Sequence, residues 1–317
     1  MNNKPESIDN DPNLLLILLF MLSISPADIT VQKLHHYLLG AVGPRPIALA
    51  STIDLNGEKN LAPFSFFNVF SANPPILIFS PARSGRTNSL KDTYNNVKAH
   101  PEVVINVVTY SIVEQVSLAS SPYAPGISEF EKAGLTPIAS ELVKPCRVKE
   151  SPVQFECKVK QVIELGTEGG AGNLIICEVV RMHIDESILD EHNQIDAHKI
   201  DLVSRMGGDW YCRADANSMF EIKKPITTCG IGYDALPTDL LKSSVLSVSD
   251  LARLAGIENL PDETEVNEYK LTELSDLFMT YVDDASNLER ALHERAKELL
   301  TANKLTEAWL TLLSFNH

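Results

Sequence analysis

The residues from Ile47 to Ser71 constrain the fold more than any other part of the 317-residue chain. Ile47-Ala-Leu-Ala-Ser-Thr-Ile53 reads as a strand. Asp54-Leu-Asn-Gly57 behind it is a hairpin signal, because Asn-Gly accepts the positive φ of a tight turn. Asn60-Leu-Ala-Pro-Phe-Ser-Phe-Phe-Asn-Val-Phe-Ser71 is then the returning strand, stopped by Asn73-Pro-Pro75. A hairpin commits the chain to antiparallel pairing. The returning strand also mixes two hydroxyls (Ser65, Ser71) and an amide (Asn68) with four phenylalanines. That mixture suits the wall of a pocket for a flat organic ring better than an ordinary core strand, since such pockets are mostly apolar with a few placed polar groups.

The rest of the chain extends the antiparallel pattern. Ile76 to Ser80 and Val103 to Thr109 read as strands, and two long strands, Val153 to Leu165 and Asn173 to Ile184, flank the glycine-rich linker Gly166–Gly172. That linker lacks the Lys-Ser/Thr of a P-loop and the spacing of a dinucleotide fingerprint, so it reads as a flexible hairpin loop. Helices are expected from Ile29 to Leu39, ending at Gly40, from Thr87 to His100, and over Ser128–Ala133. Val203 to Tyr211 reads as an aromatic-bearing loop. The order of elements is not the β-α-β-α alternation of a doubly wound sheet. The fold class is mainly β with helices: an antiparallel, Greek-key-like, closed or partly closed barrel.

After Pro225 the character changes. The last 93 residues carry 16 Asp/Glu against 7 Lys/Arg, and Leu288, Leu292, Ala296, Leu299 and Leu300 recur at helical spacing. Three parts are therefore expected: an N-terminal extension 1–24, a barrel domain 25–224, and an acidic helical extension 225–317. Leu14 to Leu22 is aliphatic but too short to span a membrane and lacks the basic flank of a signal peptide. It reads as an element packed on the domain or as an upstream extension of a chain starting at Met21. The net charge of −15 argues against nucleic acid or an anionic membrane as a partner. Five scattered cysteines with no C-x-x-C pair suggest reduced thiols in the cytoplasm. No metal site is expected. His293-Glu294 resembles the start of a zincin motif, but no second histidine follows four residues on.

The second informative segment is Pro81-Ala-Arg-Ser-Gly-Arg-Thr-Asn-Ser-Leu-Lys-Asp-Thr93. It holds three cations (Arg83, Arg86, Lys91) and several hydroxyls, and it runs into a helix start, where the dipole and free N–H groups favour an anion. Asp92 or Thr93 is the expected cap of that helix. A ring wall and a phosphate clamp separated by one short strand match the shape of FMN.

These motifs resemble a known family. Gly43-Pro-Arg-Pro-Ile-Ala-Leu-Ala-Ser-Thr52, Gly57, Asn60 to Asn68, Asn73-Pro-Pro75, Lys91-Asp-Thr93, Ser151-Pro152 and Glu156-Cys157 look like the flavin reductase-like FMN-binding split-barrel proteins, which include the flavoredoxins. The resemblance covers about residues 25–225. Phe220–Pro225 and Gly230–Pro237 look like an extension of longer members. The resemblance implies FMN as cofactor and a homodimer with flavin near the interface. Ser51 and Thr52 would lie near the ribityl-phosphate or ring edge. Ser65, Phe66, Phe67 and Asn68 would contact the isoalloxazine, and Arg83, Arg86, Lys91, Asp92 and Thr93 would surround the phosphate. Arg205 and Tyr211 would approach the flavin or the partner subunit. No catalytic side chain is expected, because the flavin carries hydride chemistry and the protein orients and tunes it. The implied activity is hydride transfer from NADH or NADPH to flavin. The alternative is a non-enzymatic FMN electron carrier with no nicotinamide site.

Overall fold

The computed structural model describes residues 21–124, 126–222 and 224–315. Residues 1–20 of the N-terminal extension, including all of Leu14–Leu22 except Met21 and Leu22, lie outside the described residues. The chain forms two compact units, Met1–Phe220 and Glu221–His317.

In the first unit the strands are β1 (Arg45–Pro46), β2 (Ala48–Ile53), β3 (Lys59–Phe64), β4 (Phe67–Ala72), β5 (Pro75–Phe79), β6 (Glu102–Val107), β7 (Pro137–Ile138), β8 (Arg147–Val148), β9 (Val153–Glu164), β10 (Asn173–Ile184), β11 (Val203–Arg205) and β12 (Tyr211–Arg213). Seven form one antiparallel sheet in the order β3-β2-β6-β9-β10-β5-β4. The Asn56-Gly57 turn is as the sequence predicts: Gly57 takes φ +86°, and the Asp54 carboxylate accepts from the backbone N–H of Asn56 and Glu58.

The expected returning strand is two strands. It breaks at Ser65-Phe66, and its halves, β3 and β4, occupy opposite edges of the sheet. Seven strands spaced ~4.8 Å apart would hold the edges of a flat sheet ~29 Å apart. A link of two residues spans at most ~11 Å between Phe64 and Phe67. The sheet therefore curls until its edges approach at this corner, giving a barrel split between β3 and β4. Contacts across the corner agree. The Phe64 and Phe79 rings lie 5.5 Å apart, and Ser80 N–H donates to the Phe66 carbonyl at 2.9 Å. Pro63, with no N–H to give a ladder, is tolerated because β3 is an edge strand.

One core fills the barrel, around Phe79, Val103, Ile105, Cys157, Ile175 and Cys177. A second packs Leu49 and Leu61 under Ile112, Val116 and Phe130. Val203–Tyr211, expected as a loop, contributes to the small sheet β1-β11-β12. The first helix runs Val31–Ala41, passes through Gly40, and is capped by Thr30, whose Oγ1 accepts from Lys33 N–H. The helix expected from Thr87 starts only at Asp92 and ends at Ala99; Asn88, at φ +56°, is left-handed and cannot lie inside it, and Lys91 is extended just before its first turn.

The second unit is helical. The stripe Leu288, Leu292, Ala296, Leu299 and Leu300 on the Ala285–Thr301 helix is buried, as its spacing predicts. Trp309, fully buried, donates its indole N–H to the Leu254 carbonyl at 3.1 Å. Among the described residues no helix is long and apolar enough to cross a membrane.

Candidate functional site

A cavity of about 580 Å3 opens beside the barrel corner. That volume lies within the usual range for small-molecule sites. One side is built from the corner itself: Ala62, Pro63 and Phe64 of β3, then Ser65 and Phe66. His35 and Leu39 of the first helix face it, with the His35 ring edge-on to Phe66 at 6.4 Å. Buried Arg45 holds the end of that helix by donating to the carbonyls of Leu39 and Val42, and it also donates to Met206. Burial, and then the nearby Arg205 charge, lower the Arg45 pKa.

The opposite side is the cationic loop and the start of the Asp92–Ala99 helix. Arg83, Ser84, Ser89, Lys91, Asp92 and Thr93 all line the cavity. Ser84 Oγ accepts from the backbone N–H of Arg86 and Thr87, closing the loop on itself. The Gly166–Gly172 hairpin then braces it from outside. Arg83 N–H donates to Ala171 at 2.8 Å, Gly170 N–H to the Arg83 carbonyl at 3.0 Å, and the Asn88 side chain to Thr167 at 3.0 Å. A Cβ on Gly169 would sit 3.0 Å from the Ser84 carbonyl oxygen, so this approach needs glycine. The linker is a hairpin loop as expected, and its glycines let one backbone pack on another.

No side chain caps the Asp92–Ala99 helix, and its N-cap is Lys91 rather than Asp92 or Thr93. Tyr94 and Asn95 N–H donate to the Lys91 carbonyl, so the N–H groups of Asp92 and Thr93 keep their capacity for an anion. Tyr94 anchors the helix to the end of β9 by donating its hydroxyl to Glu164; that bond, then burial, raises the phenol pKa. A buried polar knot fixes the same helix from beneath. Asn60 Nδ2 donates to Thr52 Oγ1 and Thr93 Oγ1, both at 3.0 Å, and Asn96 Nδ2 donates to Thr52 Oγ1 at 3.1 Å.

Of the residues predicted to contact a cofactor, Ser65, Phe66, Arg83, Lys91, Asp92 and Thr93 meet in this one cavity. The others lie elsewhere. Ser51 and Thr52 are wholly buried in β2, and Thr52 supports Thr93 from behind. Phe67 packs on the barrel core, while Asn68 is exposed and its side chain accepts from Val69 N–H. Arg86 sits exposed on the loop, outside the cavity lining. Arg205 stacks on Tyr211 at 4.5 Å, also away from this lining. Sequence reasoning missed Ser80, Asn60, His35, Ser120, Tyr123 and Glu129, which line the cavity from distant parts of the chain. Two buried polar atoms on this lining have no hydrogen-bond partner: Ser80 Oγ and Arg83 Nε. Buried polar groups in native proteins are mostly satisfied, so these two atoms keep hydrogen-bonding capacity beside the cavity.

Residues 41–199 match the family described as "Flavin reductase like domain". The chain belongs to this family. It is 39% identical over 183 residues to an uncharacterised protein of Aquifex aeolicus (strain VF5), a match covering 58% of this chain and 91% of that one. Among solved structures, nitrilotriacetate monooxygenase component B from Bacillus cereus is similar at 33% identity with a TM-score of 0.59, covering 64% of this chain and 98% of that chain. The 2-nitrobenzoate 2-nitroreductase of Pseudomonas fluorescens matches at 27% identity with a TM-score of 0.59, covering 67% and 100%. The curled seven-stranded sheet is thus the split barrel of the flavin reductase-like proteins. Membership implies a flavin, and the cavity fits one: an aromatic corner on one side, and cations, hydroxyls and an uncapped helix start on the other.

Proposed function

We propose that this chain binds FMN in the corner cavity and acts as an NAD(P)H-dependent flavin reductase. The observation that carries this reading is the orphaned pair Ser80 Oγ and Arg83 Nε on the lining of a cavity that joins an aromatic corner to an uncapped helix start. Bound there, FMN would supply the redox chemistry, taking up two electrons as hydride from NADH or NADPH. The protein's part is binding and orientation. Arg83, Lys91 and the first-turn N–H groups of the Asp92–Ala99 helix hold the phosphate by charge-assisted hydrogen bonds. Asp92 complements the helix dipole at the same end. Ser65, Phe66 and Ser80 hold the ring edge, where neutral donors stabilise the negative charge of the reduced state.

The reading is supported by the similarity to a monooxygenase component and a nitroreductase. A homodimer follows from the same reading. Edge strand β4 leaves Val69 and Phe70 more than 60% exposed, and Met182 is also exposed on β10; an apolar sheet edge is normally covered by a partner. Free thiols at all five cysteines, with burial raising the pKa of Cys157 and Cys177, suit a reducing cytoplasm.

The deciding experiment is anaerobic. The purified protein is loaded with FMN, and its flavin band is followed on adding NADH and then NADPH. Rapid bleaching by either is the expected result. Bleaching by dithionite alone would identify an electron carrier instead, and failure to take up FMN would refute both. Light scattering on the same sample should give twice the chain mass.

A further inference from the structure

The C-terminal unit lies outside the family match, which ends at residue 199, and it holds its own constellation of ligating groups. Glu289 and His293 stand one turn apart on the Ala285–Thr301 helix, so they share a face. Asp239 joins them from the Thr238–Leu241 helix. One ligating atom from each of the three lies within 4.8 Å of the other two. We propose that Asp239, Glu289 and His293 form a binding site for a first-row divalent transition cation such as Zn2+.

Two observations support this. First, His293 is only 5% exposed, and its ring is oriented by a bond 2.8 Å long between Nδ1 and Ser243 Oγ. Ser243 is itself fixed, because its Oγ accepts from the backbone N–H of Val245 and Leu246 at 3.1 Å each. Ligating histidines are typically steadied in this way through the nitrogen that does not bind metal.

Second, the three groups are close enough to converge on one ion. No hydrogen bond or ion pair joins Glu289 to His293, although their ligating atoms lie within 4.8 Å. Bonds of ~2.1 Å to nitrogen and oxygen separate two ligands of one cation by up to ~4.2 Å. Two ligands of a tetrahedral ion lie ~3.4 Å apart, so side-chain shifts of about an ångström close the site.

One imidazole with two carboxylates is a borderline-hard donor set, suited to Zn2+, Mn2+ or Fe2+ rather than to the softer ions held by thiolates. Both carboxylates are half-exposed, so water would complete the coordination. The ion would join the Thr238–Leu241 helix to the Ala285–Thr301 helix, which are far apart in sequence. The zincin reading of His293 fails for want of a second histidine downstream; the partners instead lie one turn upstream and on another helix.

The test uses the full-length protein, stripped with EDTA and titrated with ZnCl2 by calorimetry. One ion per chain is expected. Glu289→Gln and Asp239→Asn keep side-chain size at half-exposed positions; each should weaken Zn2+ binding at least tenfold while leaving helicity and FMN affinity unchanged. Ser243→Ala should weaken it by a smaller factor. Absence of stoichiometric binding overturns the proposal, and so does wild-type Zn2+ affinity in both carboxamide variants, since the ion would then sit on thiols or other surface groups.

Discussion

Arg83, Lys91 and Arg86 are three cations within nine residues, and the structure separates them. Arg83 and Lys91 line the cavity, whereas Arg86 does not. A charge-assisted hydrogen bond is worth about 1.5–3 kcal/mol, and each ~1.4 kcal/mol is a factor of ten in affinity. Arg83→Ala and Lys91→Ala should therefore each weaken FMN binding by about tenfold or more, and Arg86→Ala by much less; quenching of flavin fluorescence reads all three. Equal losses in the three variants would mean that loop charge, not the cavity, attracts the phosphate. Glu156 carries a different kind of prediction. It is wholly buried, yet it accepts from the N–H of Glu141 and Leu142 and bonds His183 at 2.7 Å. Burial raises its pKa, but those three bonds outweigh burial and hold it below the ordinary carboxylate value. A group with a depressed folded pKa contributes stability above its unfolded pKa of ~4.3 and loses it as pH falls through the folded value. Glu156→Gln should thus lower the urea midpoint at neutral pH, and the gap from wild type should narrow below about pH 4. At this scale the sequence was partly legible. Ser65, Phe66, Arg83, Lys91, Asp92 and Thr93 stood out because each lies in a locally odd stretch. Ser80 did not, because one hydroxyl at the end of an apolar strand has no local signature.

Among the elements, the polar knot under the Asp92–Ala99 helix links β2, β3 and that helix through one hydroxyl. Thr52 Oγ1 accepts from both Asn60 and Asn96. Thr52→Val keeps the shape and removes the acceptor, leaving the Asn96 amide unpaired in the interior. The cost should be about 1–3 kcal/mol, seen as a lower denaturation midpoint. FMN affinity should fall as well, because Thr93 is positioned through Asn60; a variant that is less stable but binds FMN as before would show that the knot supports the barrel alone. The strands themselves were largely readable. Their pairing at the corner was not, because Ser65-Phe66 contains neither glycine nor proline to announce a break. Nor did β2 reveal which face its hydroxyls take: all six of its residues are buried, so the period-2 contrast that would separate Ser51 from Thr52 is missing.

For the whole molecule, the decisive relation is between the barrel and the extra helical unit. The B. cereus and P. fluorescens structures are matched over 98% and 100% of their own length by about two-thirds of this chain. Those proteins therefore fold with no counterpart to the remaining third. Within this chain, every residue lining the corner cavity precedes residue 130, and the barrel core draws only on residues up to Val179. The helical unit has separate cores, built around Trp309 and around Leu292. Its acidic, amphipathic character was plain from the stripe of leucines; its tertiary contacts were not, because they join helices far apart in sequence. A chain ending at Phe220 should accordingly stay folded and bind FMN with an affinity within about threefold of the full chain, a difference of ~0.7 kcal/mol or less. Circular dichroism checks the first point and fluorescence quenching the second. Retained β signal with FMN binding lost would assign the helical unit a direct part in the site, whereas loss of the fold itself would make the two units one cooperative structure.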